Sequence, residues 1–156
     1  MPEALFRLWI APEVQRRGWP FQGDENNVSD PAWSRYLRER GPAFWRTVHW
    51  TRIQPYVHDC PIEERALLIA RWLAGVGRTF ARSGIAEPTL VRNSPQKVAA
   101  LAAAIRDQGR MPAPLVFLAR KDEWWLLDGQ HRLAALFMLD KQQDIRLDSW
   151  LGTAPA

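Results

Sequence analysis

The stretch Trp125–Ala135, WLLDGQHRLAA, constrains the fold more than any other part of the chain. A short apolar run, Trp124–Leu127, predicts a buried strand, and Asp128-Gly129 is a turn signal. The apolar-periodic segment from Leu133 to Leu139 predicts a helix. Gly129, Gln130, His131 and Arg132 therefore sit where a strand turns directly into a helix N-terminus. Unpaired backbone N–H groups and the positive end of the helix dipole suit that place to an anion. Glycine lets a phosphate approach the backbone, and arginine supplies a fork of donors matched to phosphate oxygens. On this reading Asp128, Gly129, Gln130, His131 and Arg132 form a phosphate or nucleotide cradle, with His131 as the candidate catalytic group.

A plainer reading fits the same residues. Asp128 is a good N-cap, and Asp-Gly is a common turn with no function. Arg132 reads equally well as a first-turn residue contributing little but charge. A lone histidine is more often packed or solvated than catalytic. Spacing alone leaves both readings open.

The 156 residues suffice for a single domain, 1–156, with one core. With 47% hydrophobic and 24% charged residues the chain has an ordinary globular composition. No apolar run approaches the roughly 20 residues of a membrane span, and the N-terminus lacks signal-peptide character, so a cytoplasmic protein with no membrane partner is expected. The single cysteine, Cys60, excludes an internal disulfide and a cysteine metal cluster. His49, His58 and His131 show no metal-ligand spacing, so no metal site is expected. The net charge of +4 is spread over scattered arginines, which permits a nucleotide or DNA partner without a basic tail. Six of the nine tryptophans (Trp9, Trp19, Trp33, Trp45, Trp50 and Trp72) lie in the first half. Core packing is their expected role, with Trp33 and Trp45 buried, although rings also stack on bases or fill a partner's pocket.

Along the chain, a short helix or strand is expected near Leu5–Ile10 and a loop through Gln22–Ser29. A helix is expected from Asp30-Pro31 to about Arg40, with Trp33, Tyr36 and Leu37 on one face. Thr47–Ile53 predicts a strand ended by Gln54-Pro55. Asp59-Cys60-Pro61 predicts the start of a helix whose buried stripe is Ile62, Ala66, Ile69, Ala70 and Leu73, weakened at Gly75 and Gly77 and resuming through Phe80 and Ala81. Gly75-Val76-Gly77-Arg78 follows a helix rather than a strand, so it reads as a terminator and not a phosphate loop. Ser94-Pro95 opens a helix carrying Val98, Leu101, Ala102 and Ile105 at helical spacing, stopped by Gly109. Leu115–Ala119 is a strand, Arg120–Glu123 a hairpin loop, Ile145–Trp150 a last strand, and Gly152–Ala156 a loose tail.

This order, with LAAAIRDQGRMPAPLVFLARKDEWWLLDGQHRLAAL at its centre, resembles the ParB/sulfiredoxin superfamily over Ser94–Leu151. VHWTRIQP (Val48–Pro55) is similar to that family's opening strand. The resemblance implies an α+β (mixed α/β) fold: a small sheet with helices over residues 46–151, a helical insertion at about 60–93, and a Trp-rich N-terminal extension, 1–45. It also implies that the Gly-x-[His/Arg]-Arg turn, here Gly129, His131 and Arg132, binds phosphates. Sulfiredoxin carries its catalytic cysteine immediately before the His-Arg pair, where this chain has Gln130, so sulfinic acid reduction is not expected. The partition proteins continue into a further helix and a helix-turn-helix domain beyond the last strand, and a partition clamp is not expected here. Free-serine kinases of the fold match at Gly129, His131 and Arg132 and need an acidic base, for which Asp59, Glu63 and Glu64 are unranked candidates. Expected, then, is nucleotide or phosphate binding, with phosphoryl transfer or nucleotide hydrolysis open and a nucleoside triphosphate with Mg²⁺ as the ligand. The alternative is a non-catalytic DNA- or protein-binding module whose Trp-rich half grips the partner.

Overall fold

In the computed structural model residues 1–16, 42–76, 94–139 and 145–155 are described, and elements are numbered among them. The expected loop at Gln22–Ser29, the helix from Asp30 with Trp33, and the resumption at Phe80 and Ala81 lie outside those residues. The fold class is α+β: helices accompany a four-stranded sheet whose strands lie in the order β1 (His49–Ile53), β4 (Ser149–Thr153), β2 (Leu115–Arg120), β3 (Glu123–Asp128). The chain forms two compact units, Met1–Thr51 with Gly152–Ala156, and Arg52–Leu151, and the division runs through β1 and β4.

The first unit begins with a helical run in three turn types: α1 (Glu3–Leu5), a π-helical segment (Phe6–Ile10) and α2 (Ala11–Arg16). Leu5, Phe6, Trp9 and Ile10 are buried, the single apolar face expected of a helix. Pro42 opens α3 (Pro42–Thr47), where its missing N–H costs nothing. The expected strand is thereby trimmed to β1 (His49–Ile53). Trp45 is buried, as expected. It stacks on Trp50 at 6.2 Å and meets Trp9 edge-on at 5.8 Å, geometries that aromatic quadrupoles favour. Gly152, expected in a loose tail, belongs to β4 (Ser149–Thr153), where a Cβ would stand 2.8 Å from both Val48 and Trp50 side chains. The strand expected at Ile145–Trp150 is displaced accordingly: Arg146 makes only an isolated antiparallel bridge with Tyr56.

The second unit builds its core from three helices and a β-hairpin. α4 (Glu64–Leu73) starts later than the Asp59-Cys60-Pro61 signal, because Val57–Asp59 forms a 3₁₀ turn and Pro61–Glu63 stays extended. Ile62 pairs in parallel with Trp124, with Glu63 N–H donating to the Trp124 carbonyl (3.0 Å) and Trp124 N–H to that of Pro61 (2.6 Å). Leu126 N–H donates to Glu63 Oε1 at 3.0 Å. This segment thus satisfies backbone groups on the outer edge of the hairpin. The helix ends in a Schellman motif: Gly75 has φ +73°, and Val76 N–H reaches the Arg71 carbonyl. α5 (Ser94–Gln108) buries Val98, Ala102 and Ile105 and stops at Gly109, φ +65°. β2 (Leu115–Arg120) returns through Lys121-Asp122 into β3 (Glu123–Asp128), with Leu118 opposite Trp125 and Phe117 opposite Leu126. α6 (Gln130–Leu136) follows at once, burying Leu133, Ala134, Ala135 and Leu136. Ala66, Ala70, Val98, Ile105, Leu115, Phe117, Leu133 and Leu147 meet in one core.

Candidate functional site

The anticipated strand–turn–helix unit forms around Gly129. That residue, and not Asp128, occupies the N-cap position of α6, at φ +105°, ψ +21°, and no side chain caps the helix. Asp128 ends β3, and its carboxylate serves a different purpose. A Cβ on Gly129 would overlap the fully buried Leu115 Cδ2 and stand 3.0 Å from Arg132 Nη2 and 3.2 Å from Nε. Glycine is therefore required by the protein's own packing, beyond any need to admit a ligand.

Each side chain of the turn is tied to a neighbour. Gln130 Nε2 donates to the Ala66 carbonyl at 3.0 Å, pinning the turn to α4. His131 Nε2 shares a 2.9 Å hydrogen bond with Ser94 Oγ, at the start of α5, and Ser94 is buried. Burial holds the His131 pKa below the usual histidine value; Lys97 and Arg132 push it the same way, and Asp128 only partly opposes them. These influences favour the neutral ring, and Nδ1 makes no hydrogen bond among the described residues. Arg132 Nη2 donates to Asp128 Oδ2 at 2.6 Å, an i, i+4 pair whose side chains are 18% and 32% exposed. Arg132 is therefore no solvated first-turn residue. Its Nε, sealed from solvent, has no hydrogen-bond partner among the described residues. A buried donor in that state loses its hydration without replacement.

The structure thus brings Asp128, Gly129, His131 and Arg132 together, and adds Ser94 and Lys97 from α5. Their positions carry no motif, and only the tertiary meeting of the α5 and α6 starts reveals them. The acidic candidates are elsewhere occupied. Glu63 accepts the Leu126 N–H, and its carboxyl is raised above the usual range chiefly by burial. Asp59 lies 3.3 Å from His58, and Glu64 is exposed at the start of α4. None of the three hydrogen-bonds His131 or Arg132.

Cys60 is half-buried, and its Sγ donates to the Tyr56 carbonyl at 3.2 Å. Burial, aided by Asp59, pushes the thiol up to about 11, which keeps it protonated and unreactive at neutral pH. Among the described residues no group of three or more His, Cys, Asp or Glu could hold a metal ion, and no helix is long and apolar enough to cross a membrane. Comparison with protein-family models, with curated proteins and with solved structures gave no match.

Proposed function

We propose that this chain binds the phosphate groups of a nucleotide at the Asp128–Arg132 turn, within a fold of the ParB/sulfiredoxin type. The observation that carries the reading is the Arg132 guanidinium, still partly exposed and held by one nitrogen on Asp128, at a turn that also assembles Lys97 and His131. A guanidinium with one terminal nitrogen on a carboxylate keeps the donors of its other terminal nitrogen for an incoming anion. The family relationship is proposed on the order helix, Gly109, prolines, hairpin, Gly129 turn, helix, which the resemblance rests on.

The residues fit a nucleotide's phosphates better than a resident metal. Magnesium would arrive with a triphosphate, and Asp128 is the one carboxylate at the turn to face it. When bound, the nucleotide supplies the phosphoryl group for transfer or hydrolysis. The chain's own part is to neutralise charge through Arg132 and Lys97 and to accept or hold a proton at His131 Nδ1. Binding, with hydrolysis or transfer secondary to it, is therefore the proposal. A thermal-shift screen of ATP, ADP, CTP, GTP and inorganic phosphate, with and without magnesium, tests it. A nucleotide that raises the melting temperature of the parent, and does so far less for Arg132→Ala, supports it. No shift with any of them rejects it.

A further inference from the structure

A second surface of the Arg52–Leu151 unit carries chemistry that the phosphate turn does not use. The β1 end and the chain just before β4 run side by side, joined by the Tyr56–Arg146 bridge and by Leu147 N–H on the Pro55 carbonyl at 2.8 Å. Arg52 makes a two-point ion pair with Asp148 and lies over the Trp150 ring at 5.4 Å. Arg146 lies over the Tyr56 ring at 4.7 Å, donates to the Gln54 carbonyl at 3.2 Å and reaches the Tyr56 hydroxyl at 3.4 Å. The His58 ring is nearly parallel to that of Tyr56, 13° apart with centroids at 5.7 Å. Arg52, Gln54, His58 and Arg146 are exposed, and Tyr56 and Trp150 are partly so.

Asp148 neutralises Arg52, whereas Arg146 has no carboxylate partner among the described residues. The ribbon therefore keeps one positive charge without a carboxylate partner, set over the Tyr56 ring. Flat guanidinium and aromatic surfaces beside a free positive charge are what successive bases and their phosphates need. Bases stack on rings and on arginine planes, and phosphates take the charge. An acidic peptide would use the charge and leave the ring surfaces idle; a duplex would offer phosphates and hide its base faces.

We propose that the Arg52–Tyr56–Arg146–Trp150 ribbon binds single-stranded nucleic acid by stacking bases on its rings and arginines, independently of the phosphate turn. The test is fluorescence anisotropy of the full chain with a short labelled oligothymidylate over a salt series. The parent binds, and its affinity falls with salt. Arg146→Gln weakens binding about tenfold and lowers the log–log salt slope by about one. Arg146→Lys keeps the slope but binds more weakly than the parent, because an ammonium does not stack. His58→Ala, which removes an exposed ring without touching the core, also weakens binding, while Asp128→Asn/Arg132→Ala, folded by circular dichroism, binds as the parent does. The proposal is overturned if the parent does not bind, if Arg146→Gln and His58→Ala bind as the parent does, or if polyglutamate or a duplex binds as tightly as the single strand. It is also overturned if Asp128→Asn/Arg132→Ala, folded by circular dichroism, loses binding, which would place the strand on the phosphate turn. The nucleotide screen is read separately, so either proposal can fail alone.

Discussion

Substituting Gly129 by alanine tests the local geometry on which the site rests. At φ +105° an L-residue lies in left-handed backbone space, at a cost of about 1–2 kcal/mol. The new methyl would also meet Leu115, which is 0% exposed and walled in by the core, and the Arg132 guanidinium at 3.0 Å. Overpacking a filled core by one methyl costs about 1–3 kcal/mol. Alanine restricts the unfolded chain and returns about 0.4–1 kcal/mol. The net expectation is a loss of about 1–4.5 kcal/mol, or a fall of roughly 2–18 °C in melting temperature at this chain length. Gly109→Ala is the internal control. Its φ of +65° is left-handed too, but nothing lies within 4 Å of the added Cβ. Backbone strain acts there alone, and the net loss stays below about 1.5 kcal/mol. Urea unfolding followed by circular dichroism measures both, with unchanged m-values as the check that only stability moved. If Gly129→Ala loses no more than Gly109→Ala, the close approach of Leu115 and Arg132 to the turn is wrong.

Three further outcomes follow from the packing and the titrating groups. Trp45→Ala, which removes the ring between Trp9 and Trp50, should cost about 3–5 kcal/mol in urea unfolding; an unchanged midpoint would mean that the ring is not packed. The folded-state pKa of His131 lies below its unfolded value of 6.5, so the unfolded chain takes up a proton that the folded chain refuses. Stability is therefore full above about pH 6.5 and declines as the pH falls below it, and His131→Gln should flatten that part of the melting-temperature profile. With a thiol pKa of about 11, Cys60 is ionised to only about one part in ten thousand at pH 7. Iodoacetamide should label it far more slowly than a free thiol, and Cys60→Ser should retain nucleotide binding, whereas loss of binding in a folded protein would reopen a role for the sulfur.

Legibility followed the range of the physics. Where local pattern dominates, the sequence is informative. The α5 helix from Ser94, its stop at Gly109, the hairpin around Lys121 and the strand–turn–helix at Gly129 all occur where periodicity and turn chemistry put them. Errors arise where a tertiary partner competes with a local signal. Asp59-Cys60-Pro61 is a sound helix start, but Pro61–Glu63 instead satisfies the exposed edge of β3. Gly152 reads as tail and is needed against Val48 and Trp50. The site divides the same way. Gly129, His131 and Arg132 were visible as a motif, but Asp128 as partner of Arg132 rather than helix cap was not, because both roles suit a carboxylate at that spacing. Ser94 and Lys97 were invisible because α5 and α6 meet only through the core they share.

The central claim is that Arg132 is the principal phosphate contact of the turn. Calorimetric titration of the parent and of Arg132→Ala with the nucleotide that gives the largest thermal shift tests it most directly. Removing Arg132 leaves Asp128 partly buried and unpaired, so Asp128→Asn/Arg132→Ala is titrated alongside to separate lost contact from lost folding. Both variants should bind more weakly by about 1.5–3 kcal/mol, the worth of a charge-assisted hydrogen bond, with Arg132→Lys recovering only part of it. Binding by folded Arg132→Ala as tight as that of the parent would contradict the account and leave the turn as a structural junction between β3 and α6.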